Sequence, residues 1–222
     1  MSRAPRYRHW FATCLLAIAA GPSAADTTFP PRAILDWPVR EFAGRTDYRL
    51  VSRDGETVLQ ARARGRASAR YLERRFDLST TPYLKWCWRV STIYPGLDER
   101  TRGGDDYPAR VYVARRTGPL PWQVQSVNYV WSSTQPAGAA WPNAFTDRAR
   151  LLALQGGEAR VGEWVAEVRD LRADYRRLFG ETPGHIDGLA LMSDGDNAGG
   201  DATAWFGGLI LSGDAAPPRC PE

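Results

Sequence analysis

The stretch "PYLKWCWRV", residues 82–90, decides the fold class. Every second residue in it is large and apolar, and the residues between are polar or small. Successive side chains of a strand point to opposite faces of the sheet, so this alternation is typical of a β-strand with one buried face. The predicted buried face holds Leu84, Trp86, Trp88 and Val90, and the other face holds Lys85, Cys87 and Arg89.

Nine further runs alternate in the same way, and segments rich in Gly, Pro and Asp separate them. They are TDYRLVSR (46–53), TVLQARAR (57–64), ARYLERRFDL (69–78), PARVYVARR (108–116), VQSVNYVWSS (124–133), ARLLALQ (149–155), GEWVAEVR (162–169), HIDGLALMS (185–193) and ATAWFGGLIL (202–211). An α/β fold would need a crossover helix between strands. About ten strands without such helices predict an all-β fold, an antiparallel β-sandwich of jelly-roll type.

One short helix is predicted near residues 170–179, in "DLRADYRRLFG". Asp170 is placed to cap its first turn, apolar residues follow at helical spacing, and Gly180 stands where a helix commonly ends. Since a helix of this length is marginal alone, we expect it to pack on the sandwich.

The N-terminus has the composition of a Sec-type signal peptide, residues 1–25. Three arginines precede an apolar run, and small residues lead to a predicted cleavage site after Ala25. The remaining residues, 26–222, are predicted to form a single β-sandwich domain without a membrane span. The expected location is the periplasm or the exterior of the cell.

Cleavage would leave 26 basic residues against 25 acidic ones, because the three arginines depart with the peptide. No dense cluster of basic residues remains, so nucleic acid is not an expected partner. Two cysteines, Cys87 and Cys220, remain in a compartment that permits disulfides. The even count allows a bridge, and two free thiols stay the alternative.

Four segments together resemble the bacterial exported family named domain of unknown function 3047. They are GGDDYPARVYV (103–113), NYVWSS (128–133), VRDLRADYRRLFG (168–180) and LALMSDGDNAGGDATAWFGGLIL (189–211). The resemblance runs from about Trp37 to Leu211 and implies no established activity. Its last segment is similar in style to galactose-binding-like, carbohydrate-binding jelly rolls, which is an analogy of fold.

The sequence lacks the residues that several classes of catalytic site require. His185 is the one histidine that remains after the signal peptide, which disfavours multi-histidine metal sites. A catalytic triad would have to use His185 as its histidine. No nucleophile elbow, Walker loop or dinucleotide fingerprint occurs. Carboxylates and aromatic rings therefore carry whatever chemistry the protein has.

The carboxylate candidates lie at strand ends and beside the helix. Asp105 and Asp106 precede a strand that carries Arg110, and one of them is expected to cap the loop while the other pairs with Arg110 or Arg169. Asp174, one turn into the helix, is expected to form a structural ion pair, with Arg177 or Arg110 as partner. Glycoside cleavage would need two carboxylates about 5 to 9.5 Å apart across a cleft.

The segment "SDGDNAGG", residues 193–200, supplies Asp194, Asp196 and Asn197. Its spacing does not fit an EF-hand loop. Two interpretations stay open. The segment is either a hairpin-type turn between the strands on either side of it or an end loop whose polar side chains bind a ligand or a cation. No cofactor is required by the sequence, and Ca²⁺ held by Asp194 and Asp196 is the one candidate.

Aromatic residues offer a second route to binding, since rings stack on sugar faces. Trp141, in the loop "AAWPN", is the candidate for an exposed platform, and Trp131 lies at a predicted strand end. Asn128 and Trp131 are expected on opposite faces of their strand.

The sequence favours an exported, non-catalytic module that binds a small polar ligand, a carbohydrate or an envelope glycan. One alternative is a carboxylate-based glycan hydrolase or lyase that uses Asp106 with Asp194 or Asp196. The other is a structural or protein-interaction module of the envelope, which would expose a broad apolar patch.

Overall fold

The computed structural model describes residues 25–222. The predicted signal peptide lies outside the described residues except for Ala25, its last residue. Among the described residues, no helix has the length and apolar character needed to cross a bilayer.

Two sheets form the sandwich. The six-stranded sheet contains β1 (Thr27–Phe29), β3 (Asp47–Arg53), β4 (Glu56–Arg64), β6 (Tyr83–Val90), β11 (Val165–Asp170) and β13 (Asp201–Ser212). The seven-stranded sheet contains β2 (Val39–Ala43), β5 (Ala67–Asp77), β7 (Arg110–Arg116), β8 (Val124–Ser132), β9 (Ala140–Asn143), β10 (Thr146–Gly156) and β12 (His185–Asp194). The first sheet has the order β11-β6-β13-β4-β3, with β1 also on β13, and the second the order β2-β5-β12-β7-β8-β10-β9.

All ten predicted strands are present, and the sandwich is antiparallel as predicted with one exception. β10 enters the sheet between β8 and β9 and runs parallel to β8. Within residues 25–222, two α-helices accompany the sheets, α1 (Pro31–Leu35) and the predicted helix, α2 (Leu171–Phe179), together with one turn of 3-10 helix at Arg102–Gly104. Asp170 caps α2 by accepting a hydrogen bond from the Ala173 backbone N–H, and Gly180 ends it in the left-handed conformation.

The predicted apolar face of β6 forms the centre of the core. Trp86 packs against Tyr129 of the opposite sheet with ring centroids 5.5 Å apart, and Trp88 packs against Trp131 at 5.9 Å. These tryptophans and their partners have almost no exposed surface. Because β6 lies inside its sheet and its rings reach across the interior, this strand joins the two layers.

The other face of β6 is also buried, which the alternation did not predict. Cys87 forms a disulfide with Cys220, and Lys85 donates a 2.6 Å hydrogen bond to Asp214. The C-terminal segment therefore covers the outer side of this strand.

Candidate functional site

The outer face of the seven-stranded sheet is concave and carries two adjoining cavities, of about 550 and 840 Å³. The inner face of the same strands supplies core residues such as Val111, Val127 and Leu189. Since side chains alternate along a strand, their neighbours point away from the core and form the floor of the cavities. Several of those floor residues are small, namely Ala69, Ala114, Ala149, Gly188 and Ala190, and larger ones such as Tyr112 and Met192 lie among them.

Phe42, Tyr112 and Ser126 line both cavities, so the two form one groove. The groove follows β7 from Arg110 to Arg116, which at about 3.3 Å per residue is roughly 20 Å long. A groove of this length suits an extended molecule better than a compact one.

Two exposed phenylalanines stand over the first cavity. Phe42 lies on the edge strand β2 and is 59% exposed, and Phe145 lies in the turn between β9 and β10 and is 53% exposed. These segments belong to opposite edges of the sheet. Both residues line one cavity, so the sheet curls around the groove and brings its edges together.

A buried ion pair closes one end of the groove. Arg110 donates from Nε to Asp194 Oδ1 at 2.9 Å and from Nη2 to Asp194 Oδ2. Its remaining N–H groups face the Asp105 backbone oxygen, the Asp105 carboxylate and the Tyr112 hydroxyl. Burial alone would lower the pKa of Arg110, but the Asp194 carboxylate raises it well above its ordinary value. Four of the five guanidinium N–H groups are therefore hydrogen-bonded within the protein, and the fifth, on Nη1, lies 3.5 Å from the Asp105 carboxylate.

Asp106 holds the segment 193–200 in place. Its carboxylate accepts hydrogen bonds from the backbone N–H of Asn197 at 3.2 Å and of Ala198 at 2.6 Å, and from Asn197 Nδ2 at 3.1 Å. Glycine is required at 200, because a Cβ there would clash with the Tyr94 ring. The segment is an end loop rather than a hairpin, since β12 and β13 belong to different sheets. The hairpin interpretation is therefore wrong.

Asp105 and Asp106 precede the regular strand, which begins only at Arg110. The strict alternation of side chains does not apply to them, so both can lie at this end of the groove. Asp105 accepts from Asn143 Nδ2 at 3.1 Å and lies 3.5 Å from Arg110 Nη1. Asp105 thus pairs with Arg110, one of the two arginines expected from the sequence, whereas Asp106 holds the distant 193–200 segment instead of capping its own loop.

Asp196 and Asn128 differ, because each has a side-chain oxygen without a hydrogen-bond partner within the described residues. The Asp196 side chain makes no hydrogen bond within the described residues, and burial followed by the nearby Asp106 charge raises its pKa. Asn128 is 3% exposed, and its Oδ1 has no partner among the described residues. Both residues line the first cavity. Buried polar groups without partners are rare in proteins, so these two favour a site that a ligand completes.

The geometry leaves few free carboxylate oxygens to act as ligands of a bound Ca²⁺. Carboxylate oxygens of Asp106, Asp194 and Asp196 lie within 4.8 Å of one another. Asp194 is engaged by Arg110 with both oxygens, however, and both oxygens of Asp106 accept from the loop. Ca²⁺ takes six to eight oxygen ligands, and Asp196 is the one free carboxylate among the three.

Four of the predicted site residues lie away from the groove. Trp141 is 4% exposed and donates to the Glu99 backbone oxygen, and Trp131 is buried against Trp88, so the expectation of an exposed tryptophan platform at Trp141 is wrong. Arg169 and Asp174 form an ion pair of their own, joined at 2.9 Å from Nε. The partner of Asp174 is thus Arg169 rather than Arg177 or Arg110, and Tyr129 donates to the same carboxylate.

Sequence patterns did not identify two buried carboxylates or the exposed phenylalanines. Glu99, in an irregular loop, is fully buried and accepts from the Ser132 hydroxyl and the Ser133 N–H. Glu167, on β11, accepts from Trp88 and Gln155. Phe42 and Phe145 are flanked by polar and small residues without a run of alternation, so only the folded sheet shows where they lie.

A family model described as protein of unknown function (DUF3047) matches residues 35–210. No curated protein matches this sequence. Among solved structures, the family 30 carbohydrate-binding module of a Clostridium thermocellum cellulosomal cellulase is 13% identical, with TM-score 0.48 over 86% of this chain and 99% of that one. A thermostable cellulase derived from Rhodothermus marinus Cel12A is 10% identical, with TM-score 0.43 over 78% and 100%.

The Endo-D glycoside hydrolase domain from Streptococcus pneumoniae R6 is 14% identical, with TM-score 0.41. It is matched over 82% of this chain, which spans 22% of that longer chain. At such identities the likeness concerns the fold alone.

Proposed function

The chain belongs to the DUF3047 family of proteins of unknown function, and we propose that it binds an extended carbohydrate or envelope glycan in the groove. The observation that carries the proposal is the groove itself, a concave face about 20 Å long whose floor includes several small side chains. Phe42 and Phe145 supply exposed rings, and Asn128 and Asp196 supply polar groups without partners. Apolar faces beside hydrogen-bonding groups match the mixed surface of a sugar chain.

Binding without turnover is supported by how the carboxylates are used. A glycosidase needs one carboxyl group as acid and a second as base or nucleophile, facing each other across the bond that breaks. Asp105, Asp106 and Asp194 are each held by hydrogen bonds within the protein. The other carboxylates that line the first cavity are already hydrogen-bonded, so Asp196 has no free second carboxylate with which to act. The hydrolase alternative would be supported by new reducing ends after incubation with a bound glycan.

The exposed apolar residues also favour a ligand groove over a broad protein interface. The large apolar side chains that are most exposed in the described residues are Phe42, Leu120, Trp122 and Phe145. Two of these four lie at the groove, which bears polar groups as well.

Export to the periplasm or the exterior is part of the proposal. It is motivated by the arginine-flanked apolar N-terminus and is consistent with the Cys87–Cys220 disulfide. The mass of the protein recovered from the periplasm tests it. A chain that begins at Asp26 is expected, and full-length protein confined to the cytoplasm would contradict export.

The test of binding is a glycan panel read by calorimetry with Phe42→Ala and Phe145→Ala. Each substitution should weaken binding roughly 3- to 10-fold, because an aromatic contact is worth about 0.5–1.5 kcal/mol. Trp122→Ala is the matched control, since Trp122 is 63% exposed and lines neither cavity. Equal affinity in all four proteins would place binding elsewhere, and no binding to any glycan would refute the proposal.

A further inference from the structure

The closed end of the groove holds more carboxyl groups than cationic groups. Four carboxylates, those of Asp105, Asp106, Asp194 and Asp196, surround one guanidinium, that of Arg110. Four of the Arg110 N–H groups are hydrogen-bonded within the protein, and the fifth faces the Asp105 carboxylate at 3.5 Å, so Arg110 has little capacity left for an incoming anion. A carboxylate, sulfate or phosphate on the ligand would therefore meet repulsion here without a compensating partner.

The groups still without partners at this end point to a donor on the ligand. The Asp196 carboxylate only accepts hydrogen bonds, and Asn128, which is almost completely buried beside the same cavity, has an unpaired Oδ1. A hydroxyl group would satisfy one such acceptor. A protonated amine would bring several N–H groups and also compensate the negative charge.

We propose that the closed end of the groove selects a protonated amine, and that the glycan bound there carries a free amino sugar. This inference rests on the proposed function, since it names the chemical class of the ligand in the same groove. A divalent cation fits less well, because Asp194 and Asp106 have both carboxylate oxygens engaged and Asp196 alone remains.

The test compares three oligosaccharides of equal length by calorimetry at low salt. Glucosamine oligomers carry amines, N-acetylglucosamine oligomers are neutral, and galacturonate oligomers are anionic. The glucosamine oligomer should bind about fivefold more tightly than the neutral one, corresponding to about 1 kcal/mol. This preference should shrink as salt is added, because screening weakens the attraction between charges.

Asp196→Asn is the decisive variant. It keeps the shape of the side chain and removes the charge, so the ratio of the affinities for the amine and neutral oligomers should fall to near unity. Asp201→Asn is the matched control, because Asp201 follows the same loop but lies outside both cavities and pairs with Arg62. This control should keep the full preference.

The outcomes separate the two proposals. Equal affinity for the amine and neutral oligomers, tightest binding of the galacturonate oligomer, or an unchanged preference in Asp196→Asn would each overturn the amine inference and leave glycan binding standing. Failure of every oligosaccharide to bind would remove both proposals.

Discussion

Glu167 is a buried carboxylate that has no cationic hydrogen-bond partner in the part of the chain that the structure describes. Trp88 Nε1 and Gln155 Nε2 both donate to its Oε1, at 3.1 and 2.8 Å. Burial raises its pKa, and these two hydrogen bonds offset only part of that effect. Because the raised pKa favours the protonated form in the folded state, the stability that Glu167 contributes is fully present below its unfolded pKa. It is lost as pH rises through the folded pKa.

Glu167→Gln should therefore stabilise the protein at neutral pH. The amide keeps an oxygen for both donors and carries no charge to desolvate, so a gain of about 1 kcal/mol would raise Tm by about 2–4 °C. Thermal unfolding of both proteins between pH 4 and 8 measures the effect, and the advantage of the variant should vanish at the acid end. Glu163→Gln, at an exposed ion pair with Arg160, is the control and should show no such trend. A variant that is less stable at pH 7 than the native protein would contradict this account.

Single residues differ in how far the sequence revealed them. Asp170 and Gly180 were predicted because helix ends have local signatures. Glu99 was not, because nothing in its loop indicates that the Ser132 hydroxyl will meet its carboxylate. Trp141 was predicted exposed from its Pro- and Gly-rich surroundings, yet it packs against Tyr107 with ring centroids 6.4 Å apart. The local sequence does not show that a segment distant in the chain will bury a residue.

The end loop between β12 and β13 is the element on which the closed end of the groove depends. Its backbone N–H groups at Asn197 and Ala198 are held by Asp106, which is more than ninety positions earlier in the chain. The loop places Asp196 in the cavity, so its stability and the ligand preference should be linked.

Asp106→Ala should loosen this loop. Hydrogen exchange measured by NMR is expected to speed up at the amides of Asn197 and Ala198 by tenfold or more, because a lost charge-assisted hydrogen bond is worth about 1.5–3 kcal/mol. Asp201→Ala, which removes only a surface ion pair, should leave these two amides unchanged. Unaltered exchange in Asp106→Ala would show that other contacts hold the loop.

Strands with clear alternation were predicted correctly, and the elements that were missed lack it. β9 has four residues, one of them Pro142, and was read as part of a loop. Its pairing with β10 depends on a chain reversal that inserts β10 beside β8, and local sequence does not specify which neighbour a strand chooses. β1 and β2 are short edge or near-edge strands whose pairing is likewise decided by distant partners.

At the scale of the whole molecule, the central feature is a curled sheet that turns one face to the core and the other to a groove. The large residues of β6 and β8 fill the interior, and the small residues of β5, β7 and β12 leave space on the outer face. The sequence predicted the sandwich from alternation. It could not predict the groove, because the curl that brings Phe42 and Phe145 to one cavity is a property of seven paired strands.

Alanine methyl groups offer the most direct test of this central claim. Ala69, Ala114 and Ala190 lie on the groove floor, whereas Ala61 and Ala204 lie in the core on the other sheet. In a methyl NMR titration with the tightest-binding oligosaccharide of the panel, the three floor methyl groups should shift in a saturable way while the two core methyl groups stay in place. Floor methyl groups that do not move while the ligand is demonstrably bound would contradict the assignment of this face as the binding groove.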